Sequence, residues 1–395
     1  MLLTPSRFAL AALLIVSLAP LLEAQETESR RGQGQIGLRV GYYNTDDSGD
    51  GNPFYDESLT VIEPVVFFSY YATHSTNIHG SVSYDAVTSA SIARLDDYEF
   101  TGATGSTYIA QSGASGDEYI GVNLGVLHHW SDALTTDTFG SFSKEYDYKS
   151  IGLGGSISSD VAESNATITG SLQLFYDELD IIRFTGNEEG IDHRTSLATT
   201  LRWYQILTPE VHGTLGVTLG FQEGFLATPY NGVVIEDSLL PPNPHLDNQA
   251  NGLETTEVLP GTRTRVTAFG RYRVSLVSWL AGELEGRLYT DTWGIDSVTI
   301  SPRIFYWPIP DRLRLRLGYR FYSQTPADAY NEHFFAPERY RTQDSDLGDF
   351  TSHTVGLQLR YAISARERVD IGGDFIFRSD YLDQFVASIG WSHDF

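Results

Sequence analysis

The chain has 395 residues, with 51 acidic against 26 basic side chains, a formal net charge of −25 and no cysteine. That charge repels nucleic acid and excludes it as a partner, and the missing cysteines exclude both a disulfide framework and a lipidated N-terminal cysteine. The acidity is accompanied by 23 tyrosines and 21 phenylalanines, and tyrosine is a side chain that settles at membrane interfaces.

Residues 1–24 read as a secretory signal. Arg7 supplies an early charge, Phe8 to Leu18 form an apolar run, and Ala24 marks the cleavage point, although Leu22 departs from the small residue preferred just before it. The run is too short to span a bilayer, and no later segment reaches about 18 uninterrupted apolar residues, which excludes a membrane protein built on helices. No linker or shift of composition divides residues 25–395, so one domain is expected there.

From Gln35 onward the apolar residues alternate. Ile36, Leu38, Val40 and Tyr42 share one face of a first strand, and an acidic loop follows. A second strand, about 59–71, is apolar on both faces. In the third, Ile78, Val82 and Tyr84 oppose His79, Ser81, Ser83 and Asp85, before a long Gly/Ser/Thr loop at 87–117. Strands are expected at 118–130, 133–146, 149–159 and 165–176, then at 193–206 after a loop at 178–192. Val211, Leu215, Val217, Leu219 and Phe221 next oppose His212, Thr214, Thr218 and Gln222. The longest loop, 223–260, holds five of the fifteen prolines.

Charge then collects on single faces. Arg263, Arg265, Arg271 and Arg273 share one face, and Glu283, Glu285, Arg287, Tyr289 and Asp291 share that of the next strand. In the stretch from Arg312 to Gln324, Leu313, Leu315, Leu317, Tyr319 and Phe321 oppose Arg312, Arg314, Arg316, Arg320 and Tyr322. Only a period of two separates these sets; helical spacing would mix them. The last strand ends in an aromatic-rich segment closing with Phe395.

Short turns fall near residues 74, 132, 162, 208, 277, 309 and 364 and alternate with longer polar loops. Seven turns and eight loops imply sixteen strands with both termini on the short-turn side. The expected fold is therefore all-β: a closed antiparallel transmembrane barrel of about sixteen strands, with an outward apolar band, a polar interior and both termini periplasmic. Lipid is its expected surroundings, and the terminal Phe395 resembles the sorting signal read by the barrel-assembly machinery.

In such a barrel Arg263, Arg265, Arg271, Arg273, Arg287, Arg303, Arg312, Arg314, Arg316, Arg320 and Arg360 line the lumen, opposed by Glu283, Glu285, Asp370 and Asp374. Lumenal charge of this kind sets ion selectivity; ion pairs between adjacent strands that fill the interior are the bland alternative. Asp46, Ser48, Asp50, Gly51 and Glu57 have the spacing of a calcium loop, but Pro53 interrupts it and no helices flank it, so calcium is a subordinate expectation and no other cofactor is expected. No G-x-S-x-G elbow occurs. His128 and His129 point to opposite faces of a strand and cannot share a metal. His79, His212 and His353 are the inward candidates for a barrel-rim hydrolase, a minor reading.

Several motifs together resemble an uncharacterised family of Gram-negative outer-membrane barrels: YDAVTSAS (84–91), SFSKEYDYKS (141–150), NATI (165–168), GFLATPYNGV (224–233), RLYTDTWGIDS (287–297), RFYSQTPADAY (320–330) and RTQDSDLGDF (341–350). The first departs from the Ser-Gly-Ala-Ser form of that family at Thr88 and Ser89. The resemblance implies a barrel and a location, without an activity. All these motifs except NATI fall at or beyond the external ends of strands, so they converge on one mouth. There Asp85, Glu145, Asp147, Asp291, Arg320, Tyr322 and Gln324 face inward by parity, and Asp328 lies in the same motif set. They form either a charged constriction or a set of ties between loops and rim. The functional expectation is a polar, charge-selective passage or ligand port for small solutes, narrowed by loop 87–117 or 223–260. A closed barrel supporting a surface or redox-assembly partner is the alternative.

Overall fold

The computed structural model describes residues 30–47, 52–55, 58–87, 100–101, 107–108, 118–163, 165–183, 186–243, 246 and 248–395. The first half of the chain gives β1 (Gly34–Asp47), β2 (Leu59–Tyr71), β3 (Thr76–Val87), β4 (Phe100–Thr101), β5 (Thr107–Tyr108), β6 (Glu118–His129), β7 (Leu134–Lys144), β8 (Tyr148–Val161), β9 (Ala166–Ile182) and β10 (Glu188–Thr208). The second half gives β11 (Val211–Gly224), β12 (Gly232–Glu236), β13 (Gly252–Thr256), β14 (Thr262–Val277), β15 (Leu280–Asp291), β16 (Asp296–Ile309), β17 (Leu313–Gln324), β18 (Phe350–Ala362), β19 (Glu367–Arg378) and β20 (Leu382–Asp394).

Sixteen of these strands form one closed antiparallel barrel; β4 with β5 and β12 with β13 are separate two-stranded ribbons. Closure comes from β1, which pairs with β2 on one side and with β20 on the other. The barrel sheet has no open edge, which is the condition for a sheet to sit in hydrocarbon. The seven tight turns and both termini lie at one end, called here the terminal end; the longer connections lie at the far end.

Alternation works as the residue pattern demands. Leu201, Leu215, Leu284, Leu317, Leu357 and Ile371 are exposed on the outside, while their sequence neighbours turn inward. Two aromatic belts bound this apolar surface. Tyr70, Trp130, Trp203, Trp279, Tyr306, Tyr361, Trp391 and Phe395 lie toward the terminal end, and Tyr42, Tyr84, Tyr176, Phe221, Phe375 and Phe377 toward the far end; all are exposed. Aromatic girdles of this type mark the two interfaces of a bilayer. Inside, glycines admit rings that lie flat on the wall. A Cβ on Gly216 would fall 2.3 Å from the Phe269 ring, and one on Gly37 would fall 2.2 Å from the Phe67 ring.

Three expectations are corrected. The loop expected at 178–192 is mostly strand, because β9 runs on to Ile182 and β10 starts at Glu188; charged residues there stay in extended pairing beyond the apolar band. The 223–260 segment connects β11 to β14 as expected and carries the β12–β13 hairpin. Arg312 falls in the turn before β17 and is exposed rather than lumenal. His353 shares the outer face with Tyr319, whose hydroxyl lies 2.7 Å from its Nδ1, so it does not face inward.

Candidate functional site

Register pairing aligns lumenal side chains in rows across the strands. One row runs from Arg202 through Gly216, Phe269 and Arg287 to Thr299 and Tyr322. Another, nearer the terminal end, runs His212, Arg273, Glu283, Arg303. Cross-strand neighbours on one face sit about 5 Å apart, close enough for long charged side chains to meet.

They meet as a mixed lattice. Arg271 pairs with Glu285 at 2.8 Å, and Arg303 reaches Glu283 at 2.8 Å and Glu285 at 3.0 Å. Arg287 approaches Glu285 at 3.6 Å and Arg273 approaches Glu283 at 3.9 Å. Four guanidiniums thus converge on two carboxylates. Arg273 also stacks 4.2 Å from the Phe305 ring. On the β17–β19 wall, Arg314 stands opposite Arg360, and Arg360 donates to Asp370 at 2.6 Å. Within 4 Å of Arg314 and Arg316 there is no carboxylate among the described residues.

A cavity of about 1220 Å³ follows the lumen. Tyr204 and His212 line it toward the terminal end, and Leu226 to Tyr230, Trp293 and Leu347 line it at the far end. Among the described residues nine arginines border it (Arg194, Arg202, Arg263, Arg265, Arg271, Arg273, Arg287, Arg320 and Arg378) with five carboxylates (Asp137, Asp147, Glu283, Glu285 and Asp346). Serine and threonine hydroxyls of β8 to β11, including Ser158, Thr169, Thr200 and Thr218, complete the adjoining wall; Thr200 and Thr218 bond to each other at 2.8 Å. Of the lumenal residues expected from sequence, Arg263, Arg265, Arg271, Arg273, Glu283, Glu285, Arg287 and Arg320 border this cavity, while Arg314 and Arg316 are not among its lining residues.

The far mouth carries a folded cap. Trp293, Ile295, Ala327 and Leu347 form a buried cluster with Leu226, Leu259, Tyr289 and Tyr330 packed against it; Phe54, Val234 and Leu246 form a second. Polar ties join the layers. The Gln343 amide accepts from Val234 N–H at 2.7 Å, and its carbonyl accepts from Asn52 Nδ2 at 2.8 Å. Glu257 is buried; Thr342 Oγ1 donates to it at 2.5 Å and Thr228 N–H at 2.6 Å. Burial, and then the nearby Asp344 carboxylate, push the Glu257 carboxyl up to about 7.

Several motif residues at this mouth hydrogen-bond to neighbouring loops. Arg263 Nη2 donates to Asp291 at 2.5 Å and its guanidinium lies 4.3 Å over the Trp293 ring. Asp291 also accepts from the N–H groups of Trp293 and Ile295. Tyr322 donates to Gln324 at 2.6 Å, whose amide donates to the carbonyls of Asp346 and Gly348. Asp328 is exposed and its N–H donates to Trp293 O at 2.7 Å. Glu145 is buried, and Asp147 borders the cavity. Asp85 lies opposite Tyr119 in the β3–β6 pairing. Of the calcium candidates Asp46 sits on β1, whereas Ser48, Asp50, Gly51 and Glu57 lie outside the described residues, as does most of loop 87–117. His79 Nε2 lies 2.9 Å from Asp137.

Residues 6–381 match the model of DUF3570, a protein family of unknown function. The chain belongs to this family. No curated protein matches its sequence. Among solved structures, the DUF3570 barrel is similar to a bacterial polysaccharide outer membrane secretin, at 12% identity and TM-score 0.50, over 91% of this chain and 98% of that one. It also matches the CymD monoaromatic hydrocarbon channel at 9% identity and TM-score 0.42, over 92% and 89% of the two chains. The outer membrane protein OpdK from Pseudomonas aeruginosa matches at 10% identity and TM-score 0.42, over 92% and 98%. At these identities the likeness concerns the fold alone.

Sequence reasoning missed the knitting of the cap, in particular Glu257, Thr342 and Gln343. The signal was available in part: the motifs cluster beyond strand ends, where a merely solvating loop needs no fixed residues.

Proposed function

We propose that this chain is an outer-membrane barrel providing a polar, charge-selective passage for small solutes. The observation that supports this most directly is the cavity running from His212 to the Trp293 cap, bordered by guanidiniums, carboxylates and hydroxyls. In this reading residues 1–24 are removed as a signal, residues 25–395 form one barrel domain, and the apolar band between the aromatic belts contacts lipid. The termini and tight turns face the periplasm, the cap faces outward, and the barrel-assembly machinery engages the strand ending in Phe395. Selection is electrostatic and needs no chemistry: solutes pass the β14–β16 lattice, whose fixed charges set preference, while the segment from Leu226 to Tyr230 narrows the mouth. Liposomes containing the refolded protein should swell in small charged and uncharged osmolytes, and removal of residues 232–256 should accelerate the swelling.

A second reading, a closed barrel supporting a surface or redox-assembly partner, draws on the density of ties across the far mouth. It predicts liposomes that do not swell for either form.

A further inference from the structure

The lumen holds cationic groups, Arg202 and Arg320, that no carboxylate among the described residues neutralises. A protein of net charge −25 borders its internal cavity with nine arginines and five carboxylates among the described residues. Arg194, Arg263 and Arg378 are paired with Asp177, Asp291 and Asp380 behind the lining, so the surplus rests on the other arginines; these stay protonated at every accessible pH, and low-dielectric walls focus their field into the lumen.

The surplus has a place in the register. Arg202 on β10 and Arg287 on β15 lie in one row, separated by Gly216 and Phe269. The Phe269 ring lies flat over Gly216, where a Cβ would fall 2.3 Å from it. Strands are spaced about 4.8 Å apart, so the two arginines start roughly 14 Å apart and each side chain can reach toward the other over the ring. Arg202 has no carboxylate within 4 Å among the described residues. Among the described residues Arg320, one row away toward the terminal end, has only the Tyr322 ring, 5.4 Å off, as a partner.

Resting on the passage reading above, we propose that the lumen holds an oxyanion site over the Phe269 ring, flanked by Arg202 and Arg287 and supported by Arg320, and that the passage therefore prefers small carboxylate, sulfate or phosphate solutes over cations. Guanidinium is the group suited to this task, because its planar fork matches an oxyanion with two donors at once. Thr200 and Thr218 beside Arg202 bond to each other, which leaves one hydroxyl O–H of the pair as a further donor to the same solute.

Inorganic phosphate is the probe. Equilibrium dialysis of radiolabelled phosphate against the detergent-refolded mature chain should show saturable retention that is at least tenfold weaker in Arg202→Gln/Arg287→Gln, with Arg287→Lys, which keeps the charge but loses the fork, falling between. The exposed turn variant Arg312→Gln should bind as the wild type does, and unchanged strand circular dichroism confirms folding of each. In planar bilayers the reversal potential under a KCl gradient should show chloride favoured, with phosphate reducing the chloride current. A conducting barrel that prefers potassium, or phosphate retention equal in the double variant and the wild type, overturns the site. A barrel that does not conduct but retains phosphate sinks the passage reading and leaves the oxyanion site standing.

Discussion

Asp346, in the short 3-10 turn at 345–347, and Arg378, at the end of β19, form an ion pair that ties the long β17–β18 connection to the rim of the barrel. Arg378 also donates to Asp380 at 2.5 Å and lies 3.8 Å over the Phe350 ring. One guanidinium thereby holds two carboxylates and an aromatic in a nearly dry place.

Removing that cation leaves both acids without it. Breaking a buried pair costs about 3–5 kcal/mol, and here the cost falls on the cap rather than on the barrel wall. Arg378→Ala should therefore speed tryptic cleavage at Arg339 and Arg341 in the same connection by tenfold or more, with heat-modifiable gel migration of the barrel unchanged. Arg378→Lys, which keeps charge but loses the fork, should fall between.

Glu257 gives the cap a pH dependence with a defined sign. Its carboxyl is raised from an ordinary value near 4.5 to about 7, so the folded cap binds its proton more tightly than the unfolded segment does. Its contribution is complete below about pH 4.5 and is lost as pH rises through about 7. Hydrogen exchange at Thr228 and Thr342 should quicken from pH 5 to pH 8 beyond the intrinsic rise, by an amount on the order of tenfold, and Glu257→Gln should remove the excess.

Gly294 sits between Trp293 and Ile295 with φ of +92°. A Cβ there would fall 2.5 Å from the Asp328 carboxylate. Left-handed backbone and steric overlap act together, so Gly294→Ala should cost the cap about 1–3 kcal/mol. The readout is a faster loss of near-ultraviolet Trp293 signal on heating, ahead of barrel unfolding.

Phe395 seals the terminal end. Its N–H donates to Gly34 O and its carbonyl accepts from Gly34 N–H, both at 2.9 Å, and its ring stacks on Tyr70 at 6.5 Å. Deleting Phe395 should lower the yield of folded barrel in cell envelopes several-fold, while refolding in detergent micelles, which bypasses the assembly machinery, should be affected far less.

The barrel was legible because alternation is local. Leu317 with Tyr319 against Arg316 with Arg320 can occur only on a strand with two opposed environments, and tight turns such as Asp311, at φ of +60°, punctuate the strands within a few residues. Arg312 escaped because alternation continues by chance into that turn. His353 shares the parity of the outward Val355 and Leu357, so the alternation itself marks it as outward, and its polarity alone suggests the lumen. The lumenal arginines were legible as a set, but the convergence of four on Glu283 and Glu285 depends on register between strands, which single strands do not announce. The cap was least legible: Glu257, Asp344 and Gln343 meet across loops distant in sequence, and nothing local marks a buried carboxyl.

The most direct test of the account is single-channel recording of the refolded mature chain in a planar bilayer, beside a variant lacking residues 232–256. Steady, small-conductance openings that grow when the β12–β13 hairpin is removed are expected of a charged passage narrowed by its cap. Silence from both proteins, each shown to be a folded barrel by heat-modifiable migration, would contradict the passage and point to the closed, partner-supporting barrel.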